Sequence, residues 1–217
     1  MLLKNHRPIL YLITRGATTV ATQRLSKEFQ DILTLVSAAV AAGIDLIQLR
    51  EKQLTSRTLY ELTAAAAEIT HESATALLVN DRADIARGAG ADGVHLTSNS
   101  IDAAVIRRTF GDDLLIGVST HSQAEVERAR DAKADFAVFG PVFETGSKMQ
   151  YGHPVGIKGL GEATIAGSPF PVMALGGIST ANAAECLRAG AAGVAGISLF
   201  AEPSSLQSTV AAIRRRE

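Results

Sequence analysis

Short apolar runs alternate with longer stretches of helical periodicity along the whole chain. The runs at 9–13, 46–49, 76–79, 93–96, 114–118, 136–139, 172–175 and 194–197 are four or five residues long. They are too short for helices and nearly continuous in apolar character, as strands buried on both faces are. Between them, residues 27–42, 56–70, 101–108, 123–132, 181–189 and 206–214 repeat apolar positions every three or four residues, and Ile85 and Ala86 imply another short helix. A helix tail, a small-residue stop and the next strand recur as Ala42-Gly43-Ile44-Asp45, Ala89-Gly90-Ala91-Asp92, Ala132-Lys133-Ala134-Asp135 and Ala189-Gly190-Ala191-Ala192. Glycine ends a helix by taking positive φ; Lys133 breaks that pattern. Eight alternations without a long linker predict an α/β chain folded as one (β/α)8 TIM barrel over residues 1–217. An open doubly wound sheet shares the alternation, but it more often has about five or six strands and needs a topological switch.

Composition narrows the function. The chain has 217 residues, of which 47% are hydrophobic, enough for one sizeable core. A formal net charge of −1 offers no global basic field for nucleic acid. Arg214, Arg215 and Arg216 read as complements to the C-terminal end of a last helix. No stretch is long and apolar enough to span a bilayer. The apolar run after Pro8 is short, ends in Thr14 and Arg15 and lacks a small-residue cleavage pattern, so no signal peptide is expected. Cys186, the only cysteine, fits a reducing, cytoplasmic setting. The sequence leaves open a homo-oligomer.

A barrel places its chemistry where strands end and βα loops begin. Those ends carry Gln48, Arg50 and Lys52; Asn80, Asp81 and Arg82; His95, Thr97 and Ser98; Ser119, Thr120 and His121; then Gly176-Gly177 and Ile197-Ser198. A period of two sends Gln48 and Arg50 to the side opposite Leu49, with Lys52 beyond them. Two cations beside an amide suit a phosphorylated, hydrogen-bonding ligand. The turns Gly176-Gly177-Ile178-Ser179 and Gly196-Ile197-Ser198 follow the last two strands, where barrels often build a phosphate site. Taken singly they are plain tight turns, with Ser179 or Thr180 as a helix cap. The loop from Gly140 to Gly156 holds Thr145, Ser147 and Lys148 and reads as a lid closing over phosphate oxygens, against a solvated surface loop. Asp81 offers a hard oxygen to magnesium, or it could cap the next helix or pair with Arg82. His95, inside an apolar strand, reads as a hydrogen-bonded packing residue, whereas His121 could be a general acid or base, or simply start the next helix.

The segments Gln48-Leu-Arg-Glu-Lys52, Asn80-Asp-Arg-Ala-Asp84, Gly90-Ala-Asp-Gly-Val-His-Leu96, Ile116-Gly-Val-Ser-Thr-His-Ser122, Phe139-Gly-Pro-Val-Phe143, Ala174-Leu-Gly-Gly-Ile178 and Gly196-Ile-Ser198 occur in register from first strand to last. In this order they resemble the thiamine phosphate synthase / TenI superfamily. The synthase branch joins a hydroxymethylpyrimidine diphosphate to a thiazole phosphate and releases diphosphate. The resemblance implies that Gln48 orients the pyrimidine and that Arg50, Lys52, Asn80 and Lys148 hold the diphosphate. It implies Mg2+ on Asp81 and Ser119 near the leaving group. Thr145 and Ser147 would line the thiazole side, with Gly177, Ile197 and Ser198 on the thiazole phosphate.

One departure stands out. After Val-His-Leu the synthases usually continue with Gly-Gln and, two residues on, a second magnesium-binding aspartate, whereas this chain reads Thr97-Ser98-Asn99-Ser100. Ser100 therefore stands in the aspartate position, and Asp102, on a starting helix, is expected to point elsewhere. This wording, with Glu144, resembles the TenI branch, whose activity is thiazole tautomerisation, with the residue matching His121 as acid and base. A catalytically silent phosphate-binding regulatory barrel is the third reading. Because Lys52, Asp81 and Lys148 are all present, the transferase is the expected function.

Overall fold

The computed structural model describes residues 7–144 and 154–215. Thr145, Ser147 and Lys148, the core of the expected lid, lie outside the described residues, as does Arg216. The elements are β1 (Ile9–Ile13), α1 (Lys27–Ala42), β2 (Leu46–Leu49), α2 (Ser56–Thr70), β3 (Ala76–Asn80), α3 (Ala83–Gly88), β4 (Gly93–Leu96) and α4 (Ala103–Phe110). The second half has β5 (Leu115–Thr120), α5 (Gln123–Asp131), β6 (Phe136–Phe139), α6 (Gly156–Gly167), β7 (Val172–Ala174), α7 (Ala183–Arg188), β8 (Gly193–Gly196) and α8 (Leu206–Arg214). The strands pair in parallel in chain order, and β8 returns to β1, with Tyr11 beside Ala195, to close a (β/α)8 barrel.

Alternation along the strands sorts the core into two layers. Ile9, Tyr11, Ile13, Leu46, Leu78, Phe136, Val138 and Met173 fill the barrel interior. Leu10, Leu12, Ile47 and Leu49 face outward onto Phe29, Ile32 and Val36 of α1 and its neighbours. At the closing seam, a Cβ on Gly193 would lie 2.7 Å from the carbonyl carbon of Ile9, so only glycine lets β8 approach β1.

Several boundaries differ from the sequence reading, each for a local reason. Helix α4 begins at Ala103 rather than residue 101, because the Asp102 side chain accepts the Ala104 amide at 2.7 Å and caps it. Helix α7 begins at Ala183 rather than residue 181. Asn182 holds the preceding turn, accepting from the Ser179 amide at 2.8 Å and donating to the Gly177 carbonyl at 3.0 Å, so neither Ser179 nor Thr180 is the cap. Helix α6 has glycine at 156, 159, 161 and 167, which hides its apolar stripe.

The sequence repeat has two structural meanings. Gly43, Gly90 and Gly190 take φ of 78°, 79° and 94°, and Lys133 takes the same left-handed conformation at 60°. A side chain there costs about 1 kcal/mol, so Lys133→Gly is expected to raise the melting temperature by a few degrees in a thermal scan; a lower value would contradict it. The aspartates of the repeat hold neighbouring strands together. Asp45 accepts the Leu10 amide at 2.9 Å, Asp92 the Leu77 amide at 2.8 Å and Asp135 the Ile116 amide at 2.7 Å. All three lie at the strand N-termini, the stability face of a barrel. Arg214 joins this layer: it donates to the Gly43 carbonyl at 2.7 Å and pairs with Asp45 at 3.2 Å. Arg215, at 3.1 Å from the Ala211 carbonyl, meets its own helix end.

Candidate active site

The opposite rim collects the polar strand ends. Gln48 points inward from β2, is only 2% exposed, and donates from Nε2 to Asn80 Oδ1 at 3.1 Å. Asn80 donates in turn to Asp81 Oδ2 at 3.0 Å. Asp81 sits in a tight turn at φ 64°, its amide bonded to the His95 carbonyl at 2.9 Å. Aspartate is among the few non-glycine residues that tolerate this conformation. Its Oδ1 receives the Ser100 hydroxyl, and that hydroxyl oxygen accepts the Thr97 amide at 2.6 Å. The Asp81 carboxylate is thus directed at Asn80 and Ser100. Arg82 instead pairs with Asp84 at 2.6 Å, which holds the Asp84 carboxyl below its ordinary pKa. Asp102, committed to the Ala104 amide, does not replace the missing second carboxylate.

Among the described residues no group of three or more His, Cys, Asp or Glu could hold a metal ion. Magnesium does not require one, since it commonly takes one or two carboxylates, waters and substrate phosphate oxygens. The hard oxygens of Asp81 and Ser100, already in contact, are donors of the kind such an ion takes.

Arg50 and Lys52 follow Gln48. The Arg50 amide donates to Thr14 Oγ1 at 2.8 Å. Glu51, between them, is 3% exposed and accepts from the Gly16 amide at 3.1 Å, the Thr18 amide at 3.2 Å and the Thr18 hydroxyl at 2.8 Å. One carboxylate therefore clamps the loop after β1 onto the end of β2. Sequence reasoning missed Glu51, although an acid between two cations at a strand end was a signal. Among the described residues neither Arg50 nor Lys52 pairs with a carboxylate, unlike Arg7, Arg15, Arg82 and Arg107.

His95 lies in the barrel interior, 2% exposed, with Nε2 at 2.9 Å from the Ser119 hydroxyl and Nδ1 at 3.2 Å from the Tyr11 hydroxyl. It is a hydrogen-bonded interior residue, as expected from sequence. A Cβ on Gly117 would stand 2.9 Å from His95 Nδ1 and 2.6 Å from Phe136 Cε2, and closer still to Phe136 Cζ, so this glycine makes room for both rings. His121 immediately precedes Ser122, the cap of α5. Its ring Nδ1 donates to the Gly140 carbonyl, and its amide donates to Glu125 at 2.5 Å.

Across the mouth, Gly176 and Gly177 take φ of 97° and 66°. A Cβ on Gly177 would stand 2.6 Å from the Glu144 carbonyl oxygen, so this turn packs directly against the segment that follows β6. The adjacent strand β8 ends at Gly196, and Ile197 leads into a single 3-10 turn, Ser198–Phe200. The rim therefore joins Gln48, Asn80, Asp81 and Ser119 through side chains, and sets Gly177, Ile197 and Ser198 on the facing arc.

Barrels with eight parallel strands carry their active sites at this rim, and the chain is an enzyme of that class. It belongs to the thiamine monophosphate synthase family, whose model matches residues 10–200. A protein of Geobacter sulfurreducens with a provisional thiamine-phosphate synthase assignment is 48% identical over 195 residues, covering 89% of this chain and 87% of its own. The thiamine-phosphate synthase of Methanoculleus marisnigri is 41% identical over 182 residues, covering 84% of this chain and 86% of its own. Among solved structures, thiamine phosphate pyrophosphorylase from Pyrococcus furiosus superimposes with a TM-score of 0.78 at 30% identity, covering 96% of this chain and 94% of that one.

Proposed function

We propose that the chain is a thiamine-phosphate synthase, joining hydroxymethylpyrimidine diphosphate to thiazole phosphate with release of diphosphate. The observation that carries this reading is the linked set Gln48, Asn80 and Asp81 beside two cations without carboxylate partners among the described residues, facing the paired glycine turns. Gln48 orients the pyrimidine; Arg50, Lys52, Asn80 and Lys148 bind the diphosphate oxygens. Asp81, with the Ser100 hydroxyl, would hold Mg2+, which when bound neutralises charge on the departing diphosphate. The C–O bond breaks with its electron pair leaving on diphosphate, and the positively charged pyrimidine methylene is attacked by the thiazole nitrogen. Cations fixed around the departing oxygens favour that separation of charge. Ser119 lies near the leaving group and the methylene it departs from. Gly177, Ile197 and Ser198 seat the thiazole phosphate, with Thr145 and Ser147 on the ring. Both substrates are soluble phosphorylated metabolites, and a cytoplasmic setting is part of this reading. Among the described residues no helix is long and apolar enough to cross a membrane.

Purified protein given both substrates and Mg2+ is expected to release diphosphate. Lys148→Ala is expected to fold normally and lose roughly a hundredfold in turnover, the scale of one removed transition-state donor. Absence of diphosphate release, together with aromatisation of a carboxythiazole tautomer that His121→Ala abolishes, would transfer the assignment to a tautomerase.

A further inference from the structure

A file of hydrogen bonds crosses the barrel interior from Ser119 on β5 through His95 on β4, Tyr11 on β1 and Gln48 on β2 to Asn80 and Asp81 at the end of β3. Its last member sets its direction. The Asp81 carboxylate only accepts, so the 3.0 Å contact uses the Asn80 amide nitrogen. The Asn80 oxygen therefore faces Gln48, which donates its N–H over 3.1 Å. That turns the Gln48 oxygen toward Tyr11, whose single proton spans 3.4 Å to reach it. With its proton so committed, the Tyr11 oxygen accepts from His95 Nδ1 at 3.2 Å. When this imidazole is neutral, a proton on Nδ1 makes Nε2 the acceptor, and the Ser119 hydroxyl donates across the last 2.9 Å. Burial holds the Tyr11 phenol well above its ordinary pKa, and it keeps the proton this arrangement needs.

We propose that Tyr11 and His95 are positioning residues that, through this one-way file, hold the Gln48 amide in a single orientation and leave the lone pairs of Ser119 for the substrate. Tyr11 is 0% and His95 2% exposed, so both act through others. An amide free to flip presents donor and acceptor alike. Once locked, it discriminates a ring by its hydrogen-bonding edge. A hydroxyl whose proton is turned away meets an electron-poor carbon with its lone pairs, the favourable sense of that dipole. What faces Gln48 and Ser119 is taken from the proposed function; the direction of the file follows from these contacts with a neutral His95.

Two measurements test this. Long-range 1H–15N NMR of the full chain labelled at histidine is expected to show His95 as the Nδ1–H tautomer, and Tyr11→Phe to shift it toward Nε2–H. An Nε2–H tautomer in the unaltered protein overturns the proposal. In steady-state kinetics Tyr11→Phe is expected to raise the KM for the pyrimidine diphosphate about tenfold, as the loss of one buried hydrogen bond implies, while the KM for thiazole phosphate stays put. Equal changes for both substrates, or none, overturn it. Ser119→Ala is expected to cost less in the Tyr11→Phe background than alone, and strictly additive effects would count against the file. If the unaltered chain turns over neither substrate, the proposed function fails, and the tautomer still decides the proposal.

Discussion

Replacing Asp81 by asparagine is expected to leave the fold intact and slow diphosphate release about a thousandfold, a loss of roughly 4 kcal/mol in transition-state stabilisation. The fold survives because asparagine shares with aspartate a tolerance for the left-handed conformation that this turn demands, at φ 64°. The amide oxygen of asparagine can still accept from Asn80 or Ser100, the two groups now bonded to the carboxylate. What the substitution removes is the negative charge. With a serine at position 100 and Asp102 engaged in capping α4, no second carboxylate among the described residues of this arc takes over. Initial rates measured across a range of Mg2+ concentrations, beside a thermal melt, separate the two effects. Rates within a few fold of the unaltered enzyme would sink the transferase mechanism.

At the other end of the barrel, Asp135→Ala is expected to destabilise the protein by about 3 kcal/mol, no more than the lower end of the cost of breaking a buried ion pair, because the Asp135 side chain is itself 34% exposed. Arg107 is the reason. Its side chain is 9% exposed and pairs with Asp135 at 2.7 Å. The same carboxylate oxygen accepts the Ile116 amide at 2.7 Å, so one truncation removes the close carboxylate of a buried guanidinium, leaving it only the exposed Asp112 at 3.9 Å, and also the partner of a strand amide. Arg107 retains bonds to the carbonyls of Lys133, Gly111 and Leu114, which limits the loss. In a chain of this size the melting temperature should fall by about 10 °C. Asp92 is the internal comparison. It accepts the Leu77 amide and pairs with no cation among the described residues, so Asp92→Ala should cost only about 1 kcal/mol. Urea titrations of both variants provide the check, and equal losses would refute the role given to Arg107. Turnover per folded molecule should be unaffected, because the aspartates lie at the rim away from the candidate site.

Most of the architecture was legible before any coordinates. Strands β1, β2, β4 and β6 and helices α1, α2 and α8 run between the residues that periodicity alone marks out. Failures came where one residue type obscures the pattern. Four glycines disguise α6, and Tyr11, set in Ile-Leu-Tyr-Leu-Ile, passes for an ordinary apolar strand residue. The rim residues could be enumerated, because a parallel barrel brings the C-terminal ends of its strands to one face. Asp81, with cap, ion pair and metal ligand all open to it, could not be placed until Arg82 was seen with Asp84 and Ser100 with Asp81.

The division has a physical basis. Strand, helix and stop are written in patterns a few residues long, and eight such units have one economical way to bury their apolar faces. Partnership is different. Tyr11 meets His95 from 84 residues away, Gln48 meets Asn80 from 32, and Glu51 clamps a loop 33 residues earlier. Such contacts exist only after β8 has closed on β1, and local pattern holds no record of them. Residue types and their rim position belong to the chain as written; the direction of each hydrogen bond, and with it what Gln48 and Ser119 present to a substrate, belongs to the closed barrel.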